Sequence, residues 1–215
     1  MLFALVVAVP ASAQIAPSDP PGPYAIDLRG MVLGVPQDPG FFPVVPAGTV
    51  IPSRGFGFEA GGHVYVMRVG GGRLGIGASA LRVRASSSPP EAPAPAPGTT
   101  PTPRTIPDLD ATLTIVAPQL SLNFGSAAGW SYVSGGYGFA ESRVATGGIA
   151  RTAERESGRL RSYNAGGGAR WFRSDHLAFS FDVRVHIIDA KGQPVPLVST
   201  PRSILMAASV GISLR

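Results

Sequence analysis

The chain has 215 residues, 44% hydrophobic but only 14% charged, with 28 Gly, 22 Pro, no Cys and a net charge of +5. One domain's length of chain without cysteine excludes disulfide frameworks, zinc–thiolate sites and cysteine nucleophiles. The positive balance comes from 17 Arg and a single Lys191, scattered without a basic run or interleaved aromatics, so nucleic acid is not an expected partner.

Residues 1–13, MLFALVVAVPASA, resemble a secretory signal peptide. An apolar stretch meets Pro10, and Ala11-Ser12-Ala13 supplies the small-x-small cleavage pattern, although no basic segment precedes it. Gln14 is the expected mature start. Residues 14–23 form a Pro-rich leader that cannot pair in a ladder.

Eight strand-like segments follow, at 24–35, 55–69, 73–85, 111–124, 130–146, 161–172, 177–189 and 203–214. In the first, Asp27, Arg29 and Met31 share one face, while Tyr24, Ile26, Leu28 and Val32 share the other, because side chains alternate along a strand. Segment 73–85 changes parity, with Leu74, Ile76 and Ala78 on one face and Leu81 and Val83 on the other. A bulge near Ala78–Ala80 would reconcile them. The fourth segment sets Val116, Leu120, Leu122 and Phe124 against Ala117, Gln119, Ser121 and Asn123. In the fifth, either Trp130 and Tyr132 point outward or Val133, Tyr137 and Phe139 do.

The clearest period-2 signal is 177–189. Leu177, Phe179, Phe181, Val183, Val185 and Ile187 form one apolar face, opposite Ala178, Ser180, Asp182, Arg184 and His186. The last segment repeats it with Ile204, Met206, Ala208, Val210, Ile212 and Leu214.

The connections between segments run 19, 3, 25, 5, 14, 4 and 13 residues. Alternation of long and short puts every long connection at one end. All segments reach the ~9–11 residues that cross a bilayer at a tilt, and beyond the N-terminus no apolar run is long enough for a membrane helix. The expected fold is all-β: an eight-stranded antiparallel up-and-down transmembrane β-barrel over residues 24–215, with long outer loops and short periplasmic turns. Four loops, at 36–54, 86–110, 147–160 and 190–202, would face outward and both mature termini the periplasm. The Pro-rich connection 86–110 reads as a surface loop. As an inter-domain linker it would leave three strands before it and five after, neither set able to satisfy its edges in lipid. Tyr24, Phe124, Trp130, Tyr132 and Trp171 gather at the expected periplasmic rim like an aromatic girdle.

Inward, the faces collect charge. Asp27, Arg29, Glu59, Arg170, Asp182 and Arg184 are the expected polar network of the lumen, paired because isolated charges in a narrow interior are costly. Catalytic chemistry is not evident. His176 and Ser180 lie four residues apart in sequence, without the compact His-x-Ser pair of lipid-modifying barrels. His63 and His186 read as lumen residues and His176 as a turn residue. No cluster of His and carboxylates suggests a metal, and the Gly-rich stretches lack a GK[ST] ending, so no cofactor is expected.

With GWSYVSGGYGFA at 129–140, NAGGGARWF at 164–172 and the terminal ILMAASVGISLR, the chain resembles the small eight-stranded outer-membrane barrels of the OmpA/OmpX type. That resemblance implies residence in the bacterial outer membrane as a monomer, lipid as the surrounding partner, and recognition of the C-terminal strand by the barrel-assembly machinery; because the sequence stops with the last strand, no periplasmic domain is expected after the barrel. Arg215 follows Leu214 where the family usually ends on an aromatic. The expected role is structural or surface interaction. The alternatives are a narrow channel and a soluble exported lipocalin-like barrel with polar exterior and apolar interior.

Overall fold

The computed structural model describes residues 22–38, 41–42, 49–88, 108–126, 128–147, 153–190 and 202–215. The signal-like segment, most of the leader and most of the Pro-rich connection lie outside the described residues. The described residues form nine strands: β1 (Tyr24–Gly34), β2 (Arg54–Val69), β3 (Gly72–Ser87), β4 (Leu109–Ser126), β5 (Gly129–Thr146), β6 (Ala153–Glu156), β7 (Leu160–Phe172), β8 (Leu177–Ile188) and β9 (Ser203–Leu214). Eight pair antiparallel in the cyclic order β1-β2-β3-β4-β5-β7-β8-β9, and β9 returns to β1. Closure leaves these strands without a free edge, the condition for crossing lipid. β3 and β4 pair from Gly72–Phe124 up to Ser87–Leu109, so the strands that flank the Pro-rich connection are neighbours in the wall.

The circuit of paired residues fixes the barrel's shape. Tyr24, Val64, Ile76, Leu120, Gly135, Ala165, Val185 and Met206 lie side by side around the wall. Because Ala207 pairs with Leu33, Met206 meets Gly34, ten residues above Tyr24 on the starting strand. Eight strands with a stagger of ten require a tilt of about 40°, so each residue climbs ~2.5 Å along the axis.

Three details depart from the sequence expectations. β3 pairs without interruption through Ala78–Ala80; the irregularity lies on β2, between Tyr65 and Met67. Leu81 and Val83 need no bulge to turn inward, because the interior at their level is itself apolar. Trp130 and Tyr132 are buried inside, while Val133, Tyr137 and Phe139 face out, so the girdle at the short-turn end retains Tyr24, Phe124 and Trp171. The connection 147–160 is not wholly loop: β6 pairs with the last four residues of β5 and prolongs the wall at the long-loop end.

The outside is apolar. Phe56 is 69% exposed, Phe58 72%, Ile204 68% and Val210 68%, and every spanning strand presents such residues at alternate positions. The inside holds the buried charges, Asp27, Arg29, Glu59, Arg170, Asp182 and Arg184. That arrangement reverses a soluble barrel and suits a wall surrounded by hydrocarbon.

Candidate functional site

The lumen is the only place where these strands concentrate ionisable groups away from solvent, among the described residues. Period-2 alternation turns Asp27 and Arg29 inward from β1, Glu59 and His63 from β2, Arg170 from β7, and Asp182, Arg184 and His186 from β8. All six sequence-predicted network residues are buried there, three anionic and three cationic, so the interior charge balances.

Arg170 reaches across the lumen to Asp27 as a fork. Its Nε donates to Oδ1 at 2.8 Å and its Nη2 to Oδ2 at 2.6 Å. Arg29 Nη2 lies 2.8 Å from the same carboxylate, and the Ser213 hydroxyl also donates to it. Arg29 continues to Glu59 at 3.5 Å and donates from Nε to Ser180 Oγ at 3.1 Å. Ser209 Oγ donates to Glu59 at 3.2 Å.

A second knot forms around Asp182. Arg184 donates to it from Nε at 3.1 Å and Nη2 at 2.9 Å, and Tyr132 Oη donates to it at 2.8 Å. The same guanidinium donates to Asn164 Oδ1 and Ser134 Oγ, each at 2.7 Å. Tyr132 joins the knots, because the Arg170 guanidinium sits over its ring at 4.2 Å. Such bidentate, charge-assisted contacts are the geometry that makes buried charge tolerable.

Glycines make room for these long side chains. A Cβ on Gly77 would lie 2.6 Å from the His63 ring, and one on Gly168 would lie 2.8 Å from the Tyr132 hydroxyl. The Gly-rich stretches therefore serve the width of the lumen.

Above the charges, toward the long loops, the interior is an apolar plug. Met31, Leu33, Leu81, Val83, Leu113, Ile115, Ala140, Leu160, Ile188, Leu205 and Ala207 converge from all eight spanning strands but β2. Phe41 and Phe42, from the first long connection, pack over it with Leu109 and Val144. At the other end Trp130, Tyr65 and Ala25 close the base with Phe172, and the Arg215 guanidinium sits 4.0 Å over the Phe172 ring. The barrel is thus filled along its length, as expected when eight strands enclose little more than their own side chains.

Sequence reasoning missed Tyr132 and Asn164 as network members, and with them Asn123, whose Oδ1 accepts from Arg170 Nη1 at 3.3 Å, and Gln119, whose Nε2 donates to Asn164 Oδ1 at 3.1 Å. The alternation of β4 already placed Gln119 and Asn123 on its polar face, and that was their available signal. The apolar plug carried only the parity change of β3. Ser180 and His176 do not meet: Ser180 is inside against Arg29, whereas His176 is at the turn between β7 and β8, with Nδ1 3.3 Å from the Arg215 carbonyl. His63 and His186 are buried, and their ring nitrogens have no protein partner among the described residues.

No family model matches the chain, and no curated protein matches it. Solved structures do. The Neisserial surface protein A superposes with a TM-score of 0.55 at 10% identity, over 89% of this chain and 96% of that one. Ail, the attachment invasion locus protein of Yersinia pestis, in complex with the heparin analogue sucrose octasulfate, gives a TM-score of 0.47 at 11% identity, over 89% and 95%. The outer membrane protease OmpT of Escherichia coli gives 0.44 at 11%, over 76% and 64%. With its closed ring, apolar exterior and charged, plugged interior, the chain has the fold of the small eight-stranded bacterial outer-membrane β-barrels.

Proposed function

We propose that the protein is a sealed outer-membrane scaffold that presents its long connections outside the cell, with no transport through its lumen and no catalysis at its wall. The observation that carries this reading is the filled interior: a neutral knot of charges below, an apolar plug above, and Phe41 and Phe42 over the plug. A solute would have to break bidentate ion pairs and then displace tightly packed hydrocarbon. Lipid surrounds the wall, and the outer connections, including 86–110, are the surfaces left for a partner.

Two measurements test this. Purified barrel in planar bilayers should give no current above the empty-membrane background; stable unitary conductance would overturn the sealed reading. A protease-cleavable tag placed within 89–107 should be cut on intact cells, and its protection there would overturn the orientation.

A further inference from the structure

We infer that the tip of the β2–β3 hairpin is a docking edge for an extended acidic segment of a periplasmic protein, which adds to the sheet beside residues 66–69 and sets a carboxylate against Arg68. The periplasmic origin of the partner rests on the orientation proposed above; the edge itself does not.

β2 outruns its neighbour. Its ladder with β1 ends at Tyr24–Val64, and the Tyr65 amide then donates to the Pro23 carbonyl at 2.9 Å. Beyond that point β2 is paired on one side only, with β3, through Met67–Leu74, Arg68–Arg73 and Val69–Gly72. The irregularity between Tyr65 and Met67 bends β2 at the level where β1 stops. Gly72 also pairs with Phe124, the girdle aromatic of β4, so the Gly70-Gly71 turn lies past the apolar band. A Cβ on Gly70 or Gly71 would meet nothing within 4 Å; the described chain leaves the tip uncovered.

The chain before β1 does not take the vacant side of β2. Pro20, Pro21 and Pro23 carry no amide hydrogen to give a ladder. Gly22 leads away from β2: its Cβ would lie 3.7 Å from Arg215, which follows β9, and 3.8 Å from Trp130 of β5. A short edge of backbone N–H and C=O groups is therefore open to pairing. Val66, Met67 and Val69 are exposed along it, and side chains of this kind pack well beside an added strand.

Charge selects the partner. Arg68 and Arg73 stand directly opposite each other, on the lumen-side face, because Arg73 in turn pairs with the buried Asn123. Like charges in that position oppose pairing. Neither arginine has an acidic partner among the described residues, and the buried Nε of Arg73 has no hydrogen-bond partner there. A strand laid against β2 would put one side chain opposite Arg68, at the ~4.5–5.5 Å Cβ separation of cross-strand neighbours. A Glu or Asp at that place relieves the repulsion while its backbone completes the ladder. Leaflet phosphates do not meet this need: lipid surrounds the outer face, whereas these arginines share the inner one, and a phosphate offers no ladder.

The probe is a fluorescein-labelled octapeptide alternating Val and Glu, titrated by anisotropy against barrel in phosphatidylcholine nanodiscs. It should bind saturably and slow hydrogen exchange at amides within 66–69. Arg68→Gln should weaken binding about threefold to fivefold, whereas Arg54→Gln, at the other end of β2, should leave it unchanged. A fully N-methylated copy keeps the side chains and loses every ladder donor; it should bind about tenfold more weakly, as should an octapeptide alternating Val and Lys. Arg68 is exposed, so its variant should keep a heat-modifiable band, which separates lost binding from lost folding. Equal binding of the N-methylated or the Lys peptide, or undiminished binding to Arg68→Gln/Arg73→Gln, overturns the inference. So does dimerisation of the free barrel that the peptide displaces, which would assign the edge to a second copy, or loss of binding in phosphatidylglycerol nanodiscs, which would assign the arginines to the leaflet. Binding to purified barrel is indifferent to its orientation in the cell, which the tag within 89–107 tests separately.

Discussion

Asp27 is the most connected carboxylate in the lumen, and its removal is the sharpest test of how the interior is held. In Asp27→Ala, Arg170 loses both arms of its fork and Arg29 its nearest anion, leaving two buried guanidiniums without that partner. Breaking a buried pair from one side costs about 3–5 kcal/mol, a shift in the unfolding equilibrium of roughly a hundredfold to a few thousandfold. The assay is reversible unfolding by guanidinium chloride in phospholipid vesicles, followed by tryptophan emission and by the heat-dependent gel shift. A companion, Asp27→Leu/Arg170→Met, removes the pair from both sides and leaves Arg29 to Glu59 at 3.5 Å. It should recover most of the loss, since hydrophobic replacement of a whole buried pair is often neutral. If Asp27→Ala unfolds within about 1 kcal/mol of the wild type, or if the companion is no more stable than the single variant, the network does not carry the load assigned to it.

Two further predictions concern the wall. A Cβ on Gly211 would overlap the Leu28 carbonyl on β1 and lie 2.6 Å from the Arg29 Cα, whereas one on Gly30 would be 4.0 Å from its nearest neighbour. Gly211→Val should therefore fail to give a heat-modifiable band while Gly30→Ala gives one, and equal folding of the two would show that β1 and β9 do not meet as described. Trp171 is 56% exposed on the outside and Trp130 1% exposed within. Brominated lipids should quench emission strongly in Trp130→Phe and weakly in Trp171→Phe; the opposite ranking would mean that the barrel's faces are inverted.

The strands and most of their faces were legible because lipid imposes strict alternation over long segments. In β8, Leu177 to Val183 outward and Asp182 and Arg184 inward follow directly from period 2. The upper lumen was not legible for the same reason. Once the interior is also apolar, as at Leu81 and Val83, alternation loses its contrast and a regular strand imitates a bulge. Trp130 and Tyr132 were ambiguous because aromatics serve both a membrane rim and a packed base. Which charges meet was unreadable, since Asp27 and Arg170 lie 143 residues apart and face each other only through the stagger of the closed ring. The outward arginines of β3 could have been read from Arg82 and Arg84 beside Leu81 and Val83, but only once those apolar residues were known to point in.

The fork between Asp27 and Arg170 has a consequence for assembly. Its two halves sit on the first strand and on the sixth in spanning circular order, β7 being separated from β1 by β8 and β9. A half-built, open sheet in the bilayer would hold these charges exposed on its inner face, with no opposite wall to answer them. The penalty is relieved when the last strand docks on the first and the facing walls come into reach. Ion pairing across the lumen therefore acts as a latch on ring completion: it penalises every partial sheet and rewards the finished one, so insertion should proceed as an all-or-none event.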